Sequence, residues 1–131
     1  MELVCPAGSL PALKAAVDNG ADAVYIGFRD ATNARHFAGL NFNDSKADQA
    51  LEHARRHDVR LFVAINTYPQ PHNWSAWQTA VDRAAHLGVD ALIVADLGVL
   101  DYARERHPQL ALHLSVQGSA TNAAALSFYQ R

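Results

Sequence analysis

The chain has 131 residues, half of them hydrophobic, with 13 acidic against 11 basic side chains and a formal net charge of −2, a composition that suits one domain in water. No apolar run approaches the roughly 18 residues of a membrane span, and Met1-Glu-Leu-Val-Cys-Pro6 lacks the basic stretch and apolar core of a secretory signal, so a cytoplasmic location is expected. The charge balance and the lack of a basic cluster argue against a nucleic-acid site. The single cysteine, Cys5, excludes an intrachain disulfide and any zinc or iron–sulfur site built from several cysteines of this chain.

Short apolar runs at 3–4, 23–26, 61–65, 91–94 and 111–114 are mostly unbroken rather than alternating, the pattern of parallel strands buried on both faces. After the first run, Ser9 is placed to cap a helix with Pro11 in its first turn and Leu10, Leu13 and Val17 along one side. Gly20 ends that helix, and Gly88 ends a later one. Both glycines belong to a short internal repeat, Asn19-Gly-Ala-Asp-Ala-Val-Tyr-Ile-Gly27 and Leu87-Gly-Val-Asp-Ala-Leu-Ile-Val-Ala95. In it Asp22 and Asp90 read as turn residues that satisfy backbone N–H groups at strand starts.

The connection after the second run is the longest and carries Arg29, Asp30, Thr32, Asn33, Arg35, His36 and Asn41 among small residues, as binding loops do. The helix that follows, capped by Asn43 or Ser45, turns Ala47, Ala50, Leu51 and Ala54 inward. His53 and His57 share that helix at i, i+4 spacing, but with Arg55 and Arg56 beside them and no zinc-protease glutamate they read as a solvated face, and no metal site is assigned. Pro69 and Pro71 stop the third strand, Trp77 packs, and Trp74 lies at the loop edge, placed to cover a pocket or a partner. Asn73 or Ser75, and Thr121 or Asn122, are the remaining cap candidates.

Strand starts near 2, 23, 61, 91 and 111 give five βα units with a mean repeat of about 27 residues. Two α/β architectures fit this count: part of a TIM-type (β/α)8 barrel, or a complete flavodoxin-like doubly wound sheet of five strands. In either, ligands gather at the carboxyl ends of the strands. There Asn66, Asp96, Ser115 and Gln117 supply hydrogen-bonding groups suited to orienting an oxygen-rich or aromatic small molecule, with Asn41 near them. Arg35 is placed to clamp a carboxylate and His36 to shuttle a proton. His113 reads as a barrel-lining histidine. Cys5 reads as a small buried residue at a strand end, its alternative being a reactive thiolate near a helix amino terminus. Cys5-Pro-Ala-Gly-Ser9 matches neither the dinucleotide fingerprint nor a P-loop.

Six stretches, Glu2-Leu-Val-Cys-Pro-Ala-Gly-Ser9, Gly20-Ala-Asp-Ala-Val-Tyr-Ile-Gly27, Thr32-Asn-Ala-Arg-His-Phe-Ala-Gly-Leu-Asn-Phe42, Ala64-Ile-Asn-Thr67, Asp90-Ala-Leu-Ile-Val-Ala-Asp-Leu97 and His113-Leu-Ser-Val-Gln117, resemble the collagenase-like peptidase family. Cys5 and the 32–42 loop resemble most its UbiU-like, ubiquinone-biosynthesis branch. The resemblance implies that residues 1–131 are the amino-terminal portion of a (β/α)8 barrel domain. It further implies oxygen-independent hydroxylation of the aromatic ring of ubiquinone precursors, a UbiV-like partner subunit, and a 4Fe-4S cluster whose cysteines lie outside this segment. The alternatives kept are a peptidase or RNA-modifying member of the same family and, from another class, a flavodoxin-like binding or signalling module. A partial barrel leaves its first and fifth strands as open edges, and self-association through them is expected.

Overall fold

In the computed structural model, which describes residues 1–130, five strands alternate with helices. β1 (Val4–Pro6), β2 (Ala23–Gly27), β3 (Arg60–Ile65), β4 (Ala91–Val94) and β5 (Ala111–Leu114) are joined through α1 (Leu10–Asp18), α2 (Asp44–Arg56), α3 (Trp74–Leu87) and α4 (Leu97–Arg106), and α5 (Ala123–Tyr129) follows. Two short 3₁₀ turns, Pro71–Asn73 and Val116–Gly118, were not legible from periodicity. Among the described residues no helix is long and apolar enough to cross a membrane.

Strand order separates the two architectures that hydrophobic pattern leaves open. All neighbours are parallel and the order is β1-β2-β3-β4-β5. Adjacent strands consecutive in sequence are the arrangement of a (β/α)8 barrel, whereas a flavodoxin-like sheet begins 2-1-3. The sheet is therefore an arc of barrel.

Alternation along each strand sends side chains to opposite faces. Leu61, Val63 and Ile65 of β3, Val24 and Ile26 of β2, and Leu92 and Val94 of β4 join the main core under the helices. Phe62, Ala23 and Ala91, with Tyr25 and Ile93 beside them, form a smaller cluster on the concave face. Cys5 is half-buried against the helix-side core, a packing position short of the full burial expected. Trp77 is buried and donates from Nε1 to the Thr67 carbonyl at 3.3 Å. Trp74 turns edge-on to Tyr102 of α4 rather than over the concave face.

Helix ends follow local chemistry. Ser9 accepts from Ala12 N, Asn43 from Lys46 N and Asn122 from Ala125 N, so asparagine makes the cap bond at two of the three ambiguous caps. Asn73 precedes α3, yet its side chain accepts from Gln70 N at 2.7 Å and makes no cap bond to α3. Gly88 closes α3 at φ 81°, a backbone region that disfavours L side chains. The repeated aspartates do the same work twice. Asp22 Oδ2 accepts from Leu3 N at 2.6 Å, and Asp90 Oδ2 from Leu61 N at 2.7 Å, each tying an αβ turn to the start of the preceding strand.

The long β2–α2 connection is closed at its base. Phe28 and Phe42, both fully buried, form a parallel bridge, with Phe42 N donating to Gly27 O at 3.0 Å and Arg29 N to Phe42 O at 3.1 Å. Burial of two phenylalanines is worth about 1.5–3 kcal/mol each. That anchors the loop as part of the scaffold.

Candidate functional site

The concave face opens into a cavity of about 770 Å³, within the range of small-molecule sites. Its floor is apolar: Tyr25, Phe62 and Ile93, with the His113 ring edge-on to Phe62 at 5.0 Å between centroids. At the amino-terminal mouth Arg60 pairs with Glu2 at 2.8 Å and lies 5.7 Å from the centre of the Phe62 ring. The hydrogen bond and charge of Glu2 raise the pKa of Arg60 further, so the guanidinium is a fixed positive charge.

At the carboxyl-terminal mouth the rim is built of amides and hydroxyls. Asn33 and Asn41 are buried and bonded to each other, Asn33 Nδ2 donating to Asn41 Oδ1 at 3.0 Å. Asn41 adopts φ 73°, a region asparagine tolerates better than most residues. Its backbone N donates to Gly8 O at 2.7 Å, and its Nδ2 donates to Arg35 O at 2.8 Å. Arg35 N in turn donates to Asn33 Oδ1 at 3.2 Å. This knot ties the loop to the β1–α1 turn.

Gly27 is what admits the knot. A Cβ at that position would lie 1.9 Å from Asn33 Nδ2, so the amide rests directly on the end of β2.

Asn66 joins the loop to the sheet. Its Oδ1 accepts from Ala34 N at 2.9 Å, its backbone N donates to Thr32 O at 3.0 Å, and its Nδ2 reaches Ser115 Oγ at 3.5 Å. Ser115 is buried and also accepts from Gln117 N at 3.2 Å, fixing the turn after β5. Tyr68 OH donates to Gln117 O. Five of the residues read from sequence therefore meet around one cavity: Arg35, Asn41, Asn66, Ser115 and Gln117.

The other two go elsewhere. Asp96 is the N-cap of α4, accepting from Val99 N at 3.0 Å, and does not line the cavity. His36 is exposed in the loop and does not line it either. Sequence reasoning singled out neither Gly27 nor Asn33 as site residues, because their roles depend on one packing against the other. The only available signal was a glycine closing a strand before an asparagine-rich loop. Among the two arginines of the loop, Arg29 is spent on the carbonyls of Leu40 and Asn41, at 3.2 and 3.3 Å. The exposed Arg35 guanidinium bonds to no carboxylate among the described residues.

The partial-barrel fold is matched by known proteins. The model of Peptidase family U32 matches residues 8–131. The chain belongs to peptidase family U32. It is 34% identical over 131 residues to "Uncharacterized protease MJ0090" of Methanocaldococcus jannaschii, covering 100% of this chain and 31% of that protein. It is 31% identical over 130 residues to "tRNA hydroxylation protein P" of Escherichia coli, covering 99% of this chain and 28% of that one. The solved structure of the U32 peptidase Mk0906 superposes on 100% of this chain and 55% of its own, with a TM-score of 0.80 at 13% identity, a likeness of fold. The chain spans under a third of the length of these two curated U32 relatives.

Proposed function

We propose that this U32 chain supplies the substrate-binding wall of an oxygen-independent hydroxylase acting on the aromatic ring of ubiquinone precursors, together with a UbiV-like subunit. The observation that carries the reading is the cavity itself, an apolar floor of Tyr25, Phe62 and Ile93 beneath a rim of fixed amides and hydroxyls. Such a floor takes the face of a planar ring, and aromatic pairs gain about 0.5–1.5 kcal/mol beyond the area they bury. The Asn66 amide and Ser115 hydroxyl are held in place to orient ring oxygens. Arg35, which bonds to no carboxylate among the described residues, is placed to meet an acidic or phenolic group. In this role the chain's residues bind and orient the ring and exclude water from one of its faces.

The chain's donor set does not fit a 4Fe-4S cluster. Such a cluster takes four thiolates, whereas Cys5 is the single thiol and lies half-buried against the core on the helix side of the sheet. In this reading the cluster and its redox chemistry belong to residues outside 1–131.

A second reading is favoured by the name of the E. coli relative, "tRNA hydroxylation protein P": the planar ring is a nucleobase. The net charge of −2 weighs for the small ring, since RNA binding rests on neutralised phosphates. Deleting the gene that encodes this chain and growing cells without oxygen tests both. Mass spectrometry should show ubiquinone depleted and a less hydroxylated precursor accumulating. Normal ubiquinone with loss of a hydroxylated nucleoside would transfer the reading to RNA, and gelatin cleavage by the intact protein with both pools normal would make it a peptidase.

A further inference from the structure

On the outer surface, away from the cavity, folding assembles three groups that sequence spacing alone leaves on a solvated face. Asp18 ends α1, His53 lies in the last turn of α2, and His57 is the residue that caps α2. One ligand atom from each lies within 4.8 Å of the other two. We propose that Asp18, His53 and His57 form a binding site for a divalent transition-metal ion of the zinc type, with a coordination position left for water.

The distances fit that chemistry. Ligand atoms 2.0–2.1 Å from a tetrahedral zinc stand about 3.3 Å apart. Asp18 Oδ1 is 3.0 Å from His53 Nε2 and 3.9 Å from His57 Nε2, bracketing that value. The imidazole orientation is also prepared. His57 Nδ1 is 2.8 Å from the His53 carbonyl oxygen, which can only accept, so in the neutral ring Nδ1 carries the proton and Nε2 presents its lone pair. His53 Nε2 faces the carboxylate directly, and a metal would replace the proton they share.

The electrostatic setting favours a cation. The carboxyl ends of α1 and α2 meet here, and each carries the negative pole of a helix dipole. The two arginines that made this face read as merely solvated are engaged elsewhere. Arg55 forks onto Asp90 at 2.9 and 3.1 Å, and Arg56 pairs with Glu52. Two nitrogens and one carboxylate oxygen are a borderline set that suits zinc better than calcium or magnesium. A bound ion would staple α1 to α2 across 35 residues of sequence.

The test is titration of the chelator-treated 131-residue chain with Zn²⁺ by calorimetry, and with Co²⁺ by its visible ligand-field absorption. One ion per chain is expected. H53Q, H57Q and D18N should each weaken binding at least about tenfold, since loss of even an outer-shell partner costs about 10–100-fold, while H86Q should leave it unchanged. All four positions are solvent-accessible, and circular dichroism checks that each variant is folded. Should a variant unfold, the Co²⁺-loaded chain still decides: the ring protons of His53 and His57 should be shifted paramagnetically. No uptake, equal uptake by H53Q and the unsubstituted chain, or unshifted ring protons would overturn the site.

Discussion

Gly27→Ala is the sharpest probe of how the site is held. The substitution is not resisted by backbone conformation, since β2 is extended there; it is resisted by the Asn33 amide, whose Nδ2 and Cγ lie 1.9 and 2.3 Å from the new methyl position. The amide is buried among neighbours and has to leave. Leaving breaks the 3.0 Å bond to Asn41 Oδ1 and the 3.2 Å bond from Arg35 N. Arg35 is exposed and its N–H recovers a water, but Asn41 is buried and its oxygen does not. A net hydrogen bond of about 1 kcal/mol plus an unpaired buried acceptor at about 1–3 kcal/mol gives a destabilisation of about 2–4 kcal/mol. Urea unfolding followed by far-UV circular dichroism reads it, and a double-mutant cycle isolates the cause. With Asn33 already replaced by alanine the obstacle is gone, and Gly27→Ala should then cost no more than about 0.5 kcal/mol. An equal cost in both backgrounds would refute the reasoning, as would a neutral single variant.

Three further outcomes rest on other hydrogen bonds of the fold. Asp90→Ala strips the fully buried Leu61 of the acceptor for its N–H and should cost about 2–3 kcal/mol; Asp22→Ala, whose partner Leu3 is 52% exposed, should cost under about 1 kcal/mol in the same urea assay. Asn66→Ala frees the Ala34 amide, so hydrogen exchange should quicken at Ala34 while β3 stays protected; unchanged exchange would show that the loop does not hang on Asn66. At Asp82, burial would raise the carboxyl pKa, but bonds from His107 at 2.7 Å and Tyr102 at 3.0 Å outweigh it and hold the pKa below its ordinary value. The stability by which the unsubstituted chain exceeds Asp82→Asn should therefore be fully present above about pH 4 and vanish as pH falls through the lowered folded value. A difference that persisted at the lowest pH would contradict this assignment.

Elements were legible in the sequence where local chemistry decides them. The runs at 91–94 and 111–114 coincide with β4 and β5, and Ser9 and Gly88 mark helix ends where capping rules place them. The repeated Asp22 and Asp90 were legible as turn residues because aspartate at a strand start has few other uses. Strand order was not legible from periodicity, which reports burial and not neighbours. The site was half legible for a related reason. Residues after a strand were known to face the mouth, yet whether a polar side chain looks into it or back at its own helix depends on local geometry, and Asp96 took the cap of α4. Asn33 on Gly27, and Asp18 beside His53 and His57, join residues that no spacing rule connects.

The proposed role has the cavity ringed by Asn66 and Arg35 bind the ring that is hydroxylated. Its most direct test is ubiquinone content in oxygen-free cultures of a strain lacking the gene, complemented by the intact gene carrying Asn66→Ala or Arg35→Ala. Ubiquinone should fall well below the unsubstituted control for each variant, at equal protein level, with a less hydroxylated precursor in its place. Undiminished ubiquinone in both variants would contradict it.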